Sequence, residues 1–265
     1  MIFRYYVSRY ATPAIYTFEF IVSVIIFLFV LYLNLKDFDK KSIWVFLIAS
    51  ALHSITELIA QGVGTRIIED AYLFNVPINY PITAIIIGFF EGGFIALGAY
   101  HFVRVLANKD PLSIKFVIIT LTILMGFLLL GSYYMRIQID SNLSPVTLTR
   151  RDIFAPNAII LLIFLFSITI TYFSLSKKVQ PNERITLLYW YLGLALFSLL
   201  LVLPTHIFQV RYIEVKNNGG YAPVSVIEQI IIMYGYNICI EATGFLIYIY
   251  IFIYHFDLIE IKKGI

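Results

Sequence analysis

Seven stretches of this chain are long and apolar enough to cross a lipid bilayer as helices. A helix rises about 1.5 Å per residue, so roughly 20 apolar residues traverse the hydrocarbon core. The stretches are Ala14–Leu35, Ser42–Gly62, Ile82–Leu106, Ile114–Tyr134, Asn157–Ser176, Ile185–Phe208 and Val226–Tyr254. Pro13, Pro81, Pro111, Pro156 and Pro181 stand at or shortly before the start of five of them, where a missing N–H costs little. The predicted fold class is all-α: a polytopic membrane protein with a bundle of seven transmembrane helices, forming a single membrane domain over residues 1–265. The first stretch is longer than a signal-peptide core and lacks a small-residue cleavage site, so it reads as a retained span.

Composition excludes the alternatives. Hydrophobic residues make up 60% of the chain and charged ones 13%, against about 45–50% and about 25% in soluble domains. Lipid is therefore the solvent for most of the surface, and no polar stretch is long enough for a separate water-soluble domain. The net charge of +3 is small and dispersed, which argues against nucleic acid as a partner. Cys239 is the single cysteine, so no internal disulfide forms.

Loop charge sets an orientation. The short links, such as Lys36-Asp37-Phe38-Asp39-Lys40-Lys41 and Lys177 to Arg184, hold more Lys and Arg than the amino-terminal tail and loops two, four and six. Basic residues close to the membrane favour the cytoplasm, which places the amino terminus outside and the carboxyl terminus in the cytoplasm. The long loops, Val63–Pro81, Met135–Pro156 and Gln209–Ser225, are then the outer ones. Their turn-like runs, such as Lys216-Asn217-Asn218-Gly219-Gly220, predict an outer cap or lid. There is no internal repeat, which counts against an inverted-repeat transporter.

Three ionisable residues lie at depths where a lipid-embedded helix normally has none. His53 is nine residues, roughly 13 Å, below the outer end of the second helix, and Glu91 is nine residues below the start of the third. Glu57 lies one turn outward from His53 on the same face. A charge at the bilayer centre costs about 2.5–3.5 kcal/mol on insertion scales, so these three should meet one another. Such a group can hold and move a proton near neutral pH, or simply tie the two helices together. Ala84, Gly88, Gly92 and Ala96 form a small-residue stripe on the third helix, which lets a neighbouring backbone approach closely.

A second polar group, Tyr234, Asn237 and Glu241, recurs on one face of the seventh helix and is a candidate for binding substrate. Glu19, a turn or so into the first helix, is expected at the outer interface. His101, His206 and His255 lie near helix ends and are expected in interfacial roles. Tyr189, Trp190 and Tyr191 fit an interfacial aromatic belt. No paired histidines suit a haem, no Glu-x-x-His motifs suit a di-iron site, and no lysine sits mid-span in the seventh helix for a retinal Schiff base. No cofactor and no metal is expected, and His53-x-x-x-Glu57 alone is a thin basis for one.

His53-Ser54-Ile55-Thr56-Glu57 on the second helix, followed by Glu91 on the third, resembles the emopamil-binding, or EXPERA-type, membrane proteins. The stretch Arg104–Phe116, with Lys109-Asp110-Pro111-Leu112, is similar to the link following that family's third helix, and Leu201-Val202-Leu203-Pro204 is similar to the end of its last helix. The resemblance covers about half the chain. It implies a sterol-isomerase-like chemistry in which a His and a Glu one turn apart, with a Glu on the next helix, move protons at a double bond. The family resembles a five-span bundle, whereas seven spans are counted here, and Phe197 and Leu200 stand where it carries polar and Trp side chains.

Two functional classes follow. The first is an isomerase-like enzyme acting on an apolar lipid or isoprenoid: Glu91 protonates a double bond, the His53–Glu57 pair removes a proton from a neighbouring carbon, and aromatic faces shield the cation. The alternative is a proton- or ion-coupled transporter, or a seven-span sensor or structural subunit. The expected partners are the bilayer and the apolar ligand, with no nucleic acid.

Overall fold

A computed structural model describes residues 4–12, 15–141, 147–176, 181–217 and 220–259. Pro13, Ala14, the Lys177–Gln180 part of the fifth link and Asn218-Gly219 lie outside the described residues. The protein is mostly helical, and seven helices are long and apolar enough to cross a membrane. In chain order these spans are Ile15–Leu35, Ser42–Gly62, Ile82–Asn108, Pro111–Ser141, Pro156–Leu175, Arg184–Ile207 and Val226–Ile247. The seventh predicted stretch is interrupted by a turn at Tyr248, and a short helix, Ile249–His255, completes it.

The third span is the hub. Some 78% of its apolar window is buried, against 6% for the fourth. Its small-residue stripe explains how it gets there. A Cβ on Gly88 would fall 2.4 Å from the Cα of Ser54, and one on Gly92 would fall 2.3 Å from the Cβ of His53. The second and third spans therefore touch backbone to backbone, as small residues permit. Around them packs a core of Phe46, Phe94, Leu97, Leu194, Phe197 and Tyr250. Trp190 belongs to this core and is fully buried, not part of an interfacial belt. The fourth span instead presents Ile118, Ile119, Ile123 and Leu130 outward, a face suited to lipid.

Two spans contain π-helical turns: Gly88–Phe94 in the third and Ile231–Ala242 in the seventh. A π turn inserts an extra residue, so side chains beyond it shift around the helix axis, and such turns are frequent at functional sites.

The all-α expectation needs one correction. Strands β1 (Arg4–Ala11), β2 (Arg66–Glu69), β5 (Thr147–Asp152), β6 (Arg211–Asn217) and β7 (Gly220–Pro223) form a five-stranded sheet in the order β2-β5-β1-β6-β7. Every pairing in it is antiparallel. A small hairpin of β3 (Tyr72–Leu73) and β4 (Val76–Pro77) stands beside it. The strands come from the amino-terminal tail and from loops two, four and six, so those segments share one end of the bundle and close over it as a cap. Tyr, Val and Ile recur in these segments, as half-buried strands require.

The opposite end is tied by charge. Asp39, in the first link, accepts from Arg104 of the third span and from the Ser42 hydroxyl at 2.8 Å. Arg104 also pairs with Asp110 at 2.8 Å. His101 is fully buried between the hydroxyls of Ser42 (3.2 Å) and Ser113 (3.0 Å), so its role is an internal link among spans two, three and four.

Candidate active site beneath the sheet

Side chains alternate across a strand, so register decides which ones share a face. In this sheet Arg9 is paired with Arg211 on one side and Thr149 on the other. Two residues along, Val7 is paired with Ile213 and Arg151, and Arg151 with Arg66. Arg9, Arg66, Arg151 and Arg211, one from each of four strands, therefore lie on a single face. That face looks into the bundle.

The bundle answers with carboxylates. Arg66 and Arg151 each donate to a different oxygen of Glu57, both at 2.9 Å. Arg66 also reaches Glu91 at 3.4 Å, and Arg9 lies 3.5 Å from Glu19 and 3.9 Å from Glu91. Arg151 further approaches Glu241 at 3.5 Å. Asn237 donates to Glu241 at 3.1 Å and accepts from Arg211 at 3.2 Å. His53 Nε2 lies 3.8 Å from Glu57. Glu19, Glu57, Glu241 and Asn237 are all at most 1% exposed. Unpaired charges at such depth would cost several kcal/mol each, roughly, so mutual pairing is what makes the arrangement tenable.

The arginines respond to these surroundings. Burial pulls the Arg66 guanidinium down, but Glu57 and Glu91 outweigh it and hold the group above its ordinary range. Arg9 is raised in the same way: burial acts downward, and Glu19 with Glu91 prevails. Arg211 goes the other way. Burial, then the positive charges of Arg9 and Arg66, push it down to about 10.

A cavity of about 380 Å³ opens between the sheet and the spans. Its polar wall is made by Arg9, Arg66, Arg211, Glu19, Glu91 and Asn237. Arg151, Ser132, Ser198 and Thr205 border it too, and Phe18, Phe90, Phe127, Leu128 and Leu201, from spans one, three, four and six, supply an apolar face. Phe18 stacks on Phe127 at 4.6 Å between ring centres, and so links the first span to the fourth.

The residues singled out from sequence separate into groups. His53, Glu57 and Glu91 do converge, with one ligand-type atom from each lying within 4.8 Å of the others. Only Glu91 of these three lines the cavity; Glu57 and His53 stand behind it. That spacing would also suit a metal ion, but Arg66 donates to both carboxylates, so a guanidinium already supplies the positive charge there. On the seventh span, Asn237 and Glu241 join the cluster, whereas Tyr234 turns away and meets His206 at 2.5 Å. The π turn accounts for the split, because it breaks the spacing that puts all three on one face of an α-helix. Glu19 is not at an interface; it is buried against Arg9.

The four arginines and Glu19 are what sequence reasoning missed. Arg9, Arg66, Arg151 and Arg211 read as ordinary loop charges that orient the chain. Their signal is faint: Arg66-Ile67-Ile68-Glu69 and Arg211-Tyr212-Ile213-Glu214 each put an arginine in a short β-prone run.

In comparisons with protein-family models, with curated proteins and with solved structures, nothing matches the chain.

Proposed function

We propose that this is a multi-pass membrane protein that holds an amphipathic lipid or isoprenoid beneath its sheet and exchanges a proton with it at Glu91. One observation carries the reading: a single cavity joins an apolar wall, suited to a hydrocarbon chain, to a wall of charged groups. Small-molecule sites have this character, mostly apolar with a few convergent polar groups. In an isomerisation of the kind implied by the emopamil-binding resemblance, Glu91 as a carboxylic acid gives a proton to one carbon of a double bond, and the carboxylate left behind takes one from a neighbouring carbon, so the cycle restores Glu91 and consumes no co-reactant. Glu91 is the candidate catalytic residue because, of the three, it alone borders the cavity. Glu57 is a positioning residue: it fixes Arg66 and Arg151, and Arg66 in turn fixes Glu91. Phe90 and Phe127 supply the aromatic faces that would stabilise a cation. The weaker positive charge of the sheet-bearing loops supports placing the sheet on the outer side of the membrane.

The test is mass spectrometry of lipids that co-purify with the wild type and with Gly131→Phe. Gly131 borders the cavity, and a side chain there starts into open space. The wild type should carry an enriched amphiphile that the filled variant loses, and Glu91→Gln should carry it without converting it. Identical lipid profiles in wild type and Gly131→Phe would end the binding proposal, and unchanged conversion by Glu91→Gln would end the catalytic one.

A further inference from the structure

Arg211 is the odd member of the cluster. Arg9, Arg66 and Arg151 each lie within ion-pair distance of at least one carboxylate. Arg211 has no such partner among the described residues. Among the described residues its side chain donates to Asn237 Oδ1, a neutral amide whose nitrogen is committed to Glu241. Its Nε is buried without a partner.

Position makes this more costly. Arg211 stands directly opposite Arg9 across the β1–β6 pairing, and like charges facing each other across strands repel. Arg9 has Glu19 and Glu91 within ion-pair distance, at 3.5 and 3.9 Å; Glu91 and Glu241 act on Arg211 only from beyond that range, and burial with Arg9 and Arg66 outweighs them. The downward pressure on its proton affinity from burial and from Arg9 and Arg66 reports the same imbalance. A half-buried guanidinium in this state is stabilised by an anion, and its fork geometry suits phosphate or carboxylate oxygens.

Both Arg9 and Arg211 line the 380 Å³ cavity, and so does the hydroxyl-bearing Ser198, whose Oγ is buried without a partner. Tyr10 and Arg211 also border a second cavity of about 650 Å³ on the other side, where Arg136, Gln209 and Gln229 contribute polar lining. Arg211 thus borders both cavities.

Resting on the lipid-binding reading above, we infer that Arg211, with Arg9 beside it, seats an oxyanion: the phosphate or carboxylate head of an amphiphile whose chain lies along Phe18, Phe127 and Leu201. The head supplies a negative charge at contact distance, which no carboxylate among the described residues gives Arg211, and the apolar wall takes the tail. An anion on Arg211 also leaves the Glu57–Arg66–Glu91 bridge intact, because Arg211 is not a member of it.

Three probes separate the possibilities on the full chain in neutral detergent: dodecyl phosphate, dodecanol and inorganic phosphate, with affinity read by native mass spectrometry and thermal shift. The wild type should prefer dodecyl phosphate over dodecanol by roughly tenfold or more, the scale of one charge-assisted hydrogen bond. Arg211→Gln should reduce that preference to about twofold or less, and Arg211→Lys should restore part of it, since a point charge replaces the fork. Equal wild-type affinity for dodecyl phosphate and dodecanol would overturn the oxyanion seat while leaving the lipid reading standing, provided Gly131→Phe abolishes both. Inorganic phosphate binding as tightly as dodecyl phosphate would overturn the amphiphile and assign the seat to a free anion. Failure of either chain to bind would remove the lipid reading and this inference together. If Arg211→Gln does not fold, the wild-type comparison of the three probes decides by itself.

Discussion

Glu57 shows how a residue can be central to a site without touching its contents. Each of its oxygens accepts from a different strand's arginine, and its side chain is 1% exposed. Replacing it by Gln leaves Arg66 and Arg151 facing each other with no charge between them. Breaking a buried pair by removing one partner typically costs about 3–5 kcal/mol. Glu57→Gln should therefore lower the unfolding temperature sharply, and Arg66→Met should cost less in that background than in the wild type, because its ion pair with Glu57 is already gone while Glu91 stays its partner in both. A thermal-unfolding double-mutant cycle checks this: simple additivity would mean that the two groups are not coupled. At the far end of the bundle, Asp39 makes a pH prediction. Burial works to raise its pKa, but Arg104 and the Ser42 hydroxyl outweigh it and hold the carboxyl below its ordinary value. A depressed carboxyl stabilises the fold above its unfolded pKa, and that stability is lost as pH falls through the folded value. Stability should drop as pH is lowered from about 4, and Arg104→Met, measured by acid titration of the unfolding temperature, should flatten that limb.

Between elements, the closest approach is that of the second and third spans. Gly92→Ala would put a methyl 2.3 Å from the His53 Cβ. The contact is with the root of the His53 side chain, so the helices must part, at a cost of about 1–3 kcal/mol, and His53 and Glu91 move with them. Gly126 in the fourth span is the control, because a Cβ there meets nothing within 4 Å. Gly126→Ala should be neutral or stabilising by up to about 1 kcal/mol, from helix propensity. Comparing the two unfolding temperatures separates close packing from propensity; equal effects would deny the packing role. The Ala84–Ala96 stripe was legible in the sequence because its four-residue recurrence needs only helix geometry. The π turns were not, since nothing local in Gly88–Phe94 or Ile231–Ala242 distinguishes them from an α-helix until the neighbouring elements are in place. That is why Tyr234 was grouped with Asn237 and Glu241 and then found elsewhere.

Across the whole molecule, cap and bundle are joined through charge. Four strands send an arginine downward, and the first, second, third and seventh spans receive them. Disturbing one receiver should loosen the strands it holds: in Glu57→Gln, hydrogen exchange should quicken in β2 and β5 and stay unchanged in β7, which contributes no arginine to the cluster. Uniform acceleration across the sheet would show that the cap responds as one unit and that the individual pairs do not anchor it. The seven apolar helices, the convergence of His53 with Glu57 and Glu91, and a cap formed by the long loops were all readable from the chain alone. They depend on segment length, on depth counted along neighbouring helices, and on turn-forming residues, which are local quantities. The sheet depended on none of these. Its strands are separated by entire spans, so only the folded arrangement sets their register, and only that register puts Arg9, Arg66, Arg151 and Arg211 on one face. The sequence by itself thus determined that carboxylates would lie along helices long and apolar enough to cross a membrane, because Glu19, Glu57, Glu91 and Glu241 fall within those apolar stretches. Tertiary structure alone decided what neutralises them, because opposite charges that are far apart in sequence find each other only when burial makes their separation too costly.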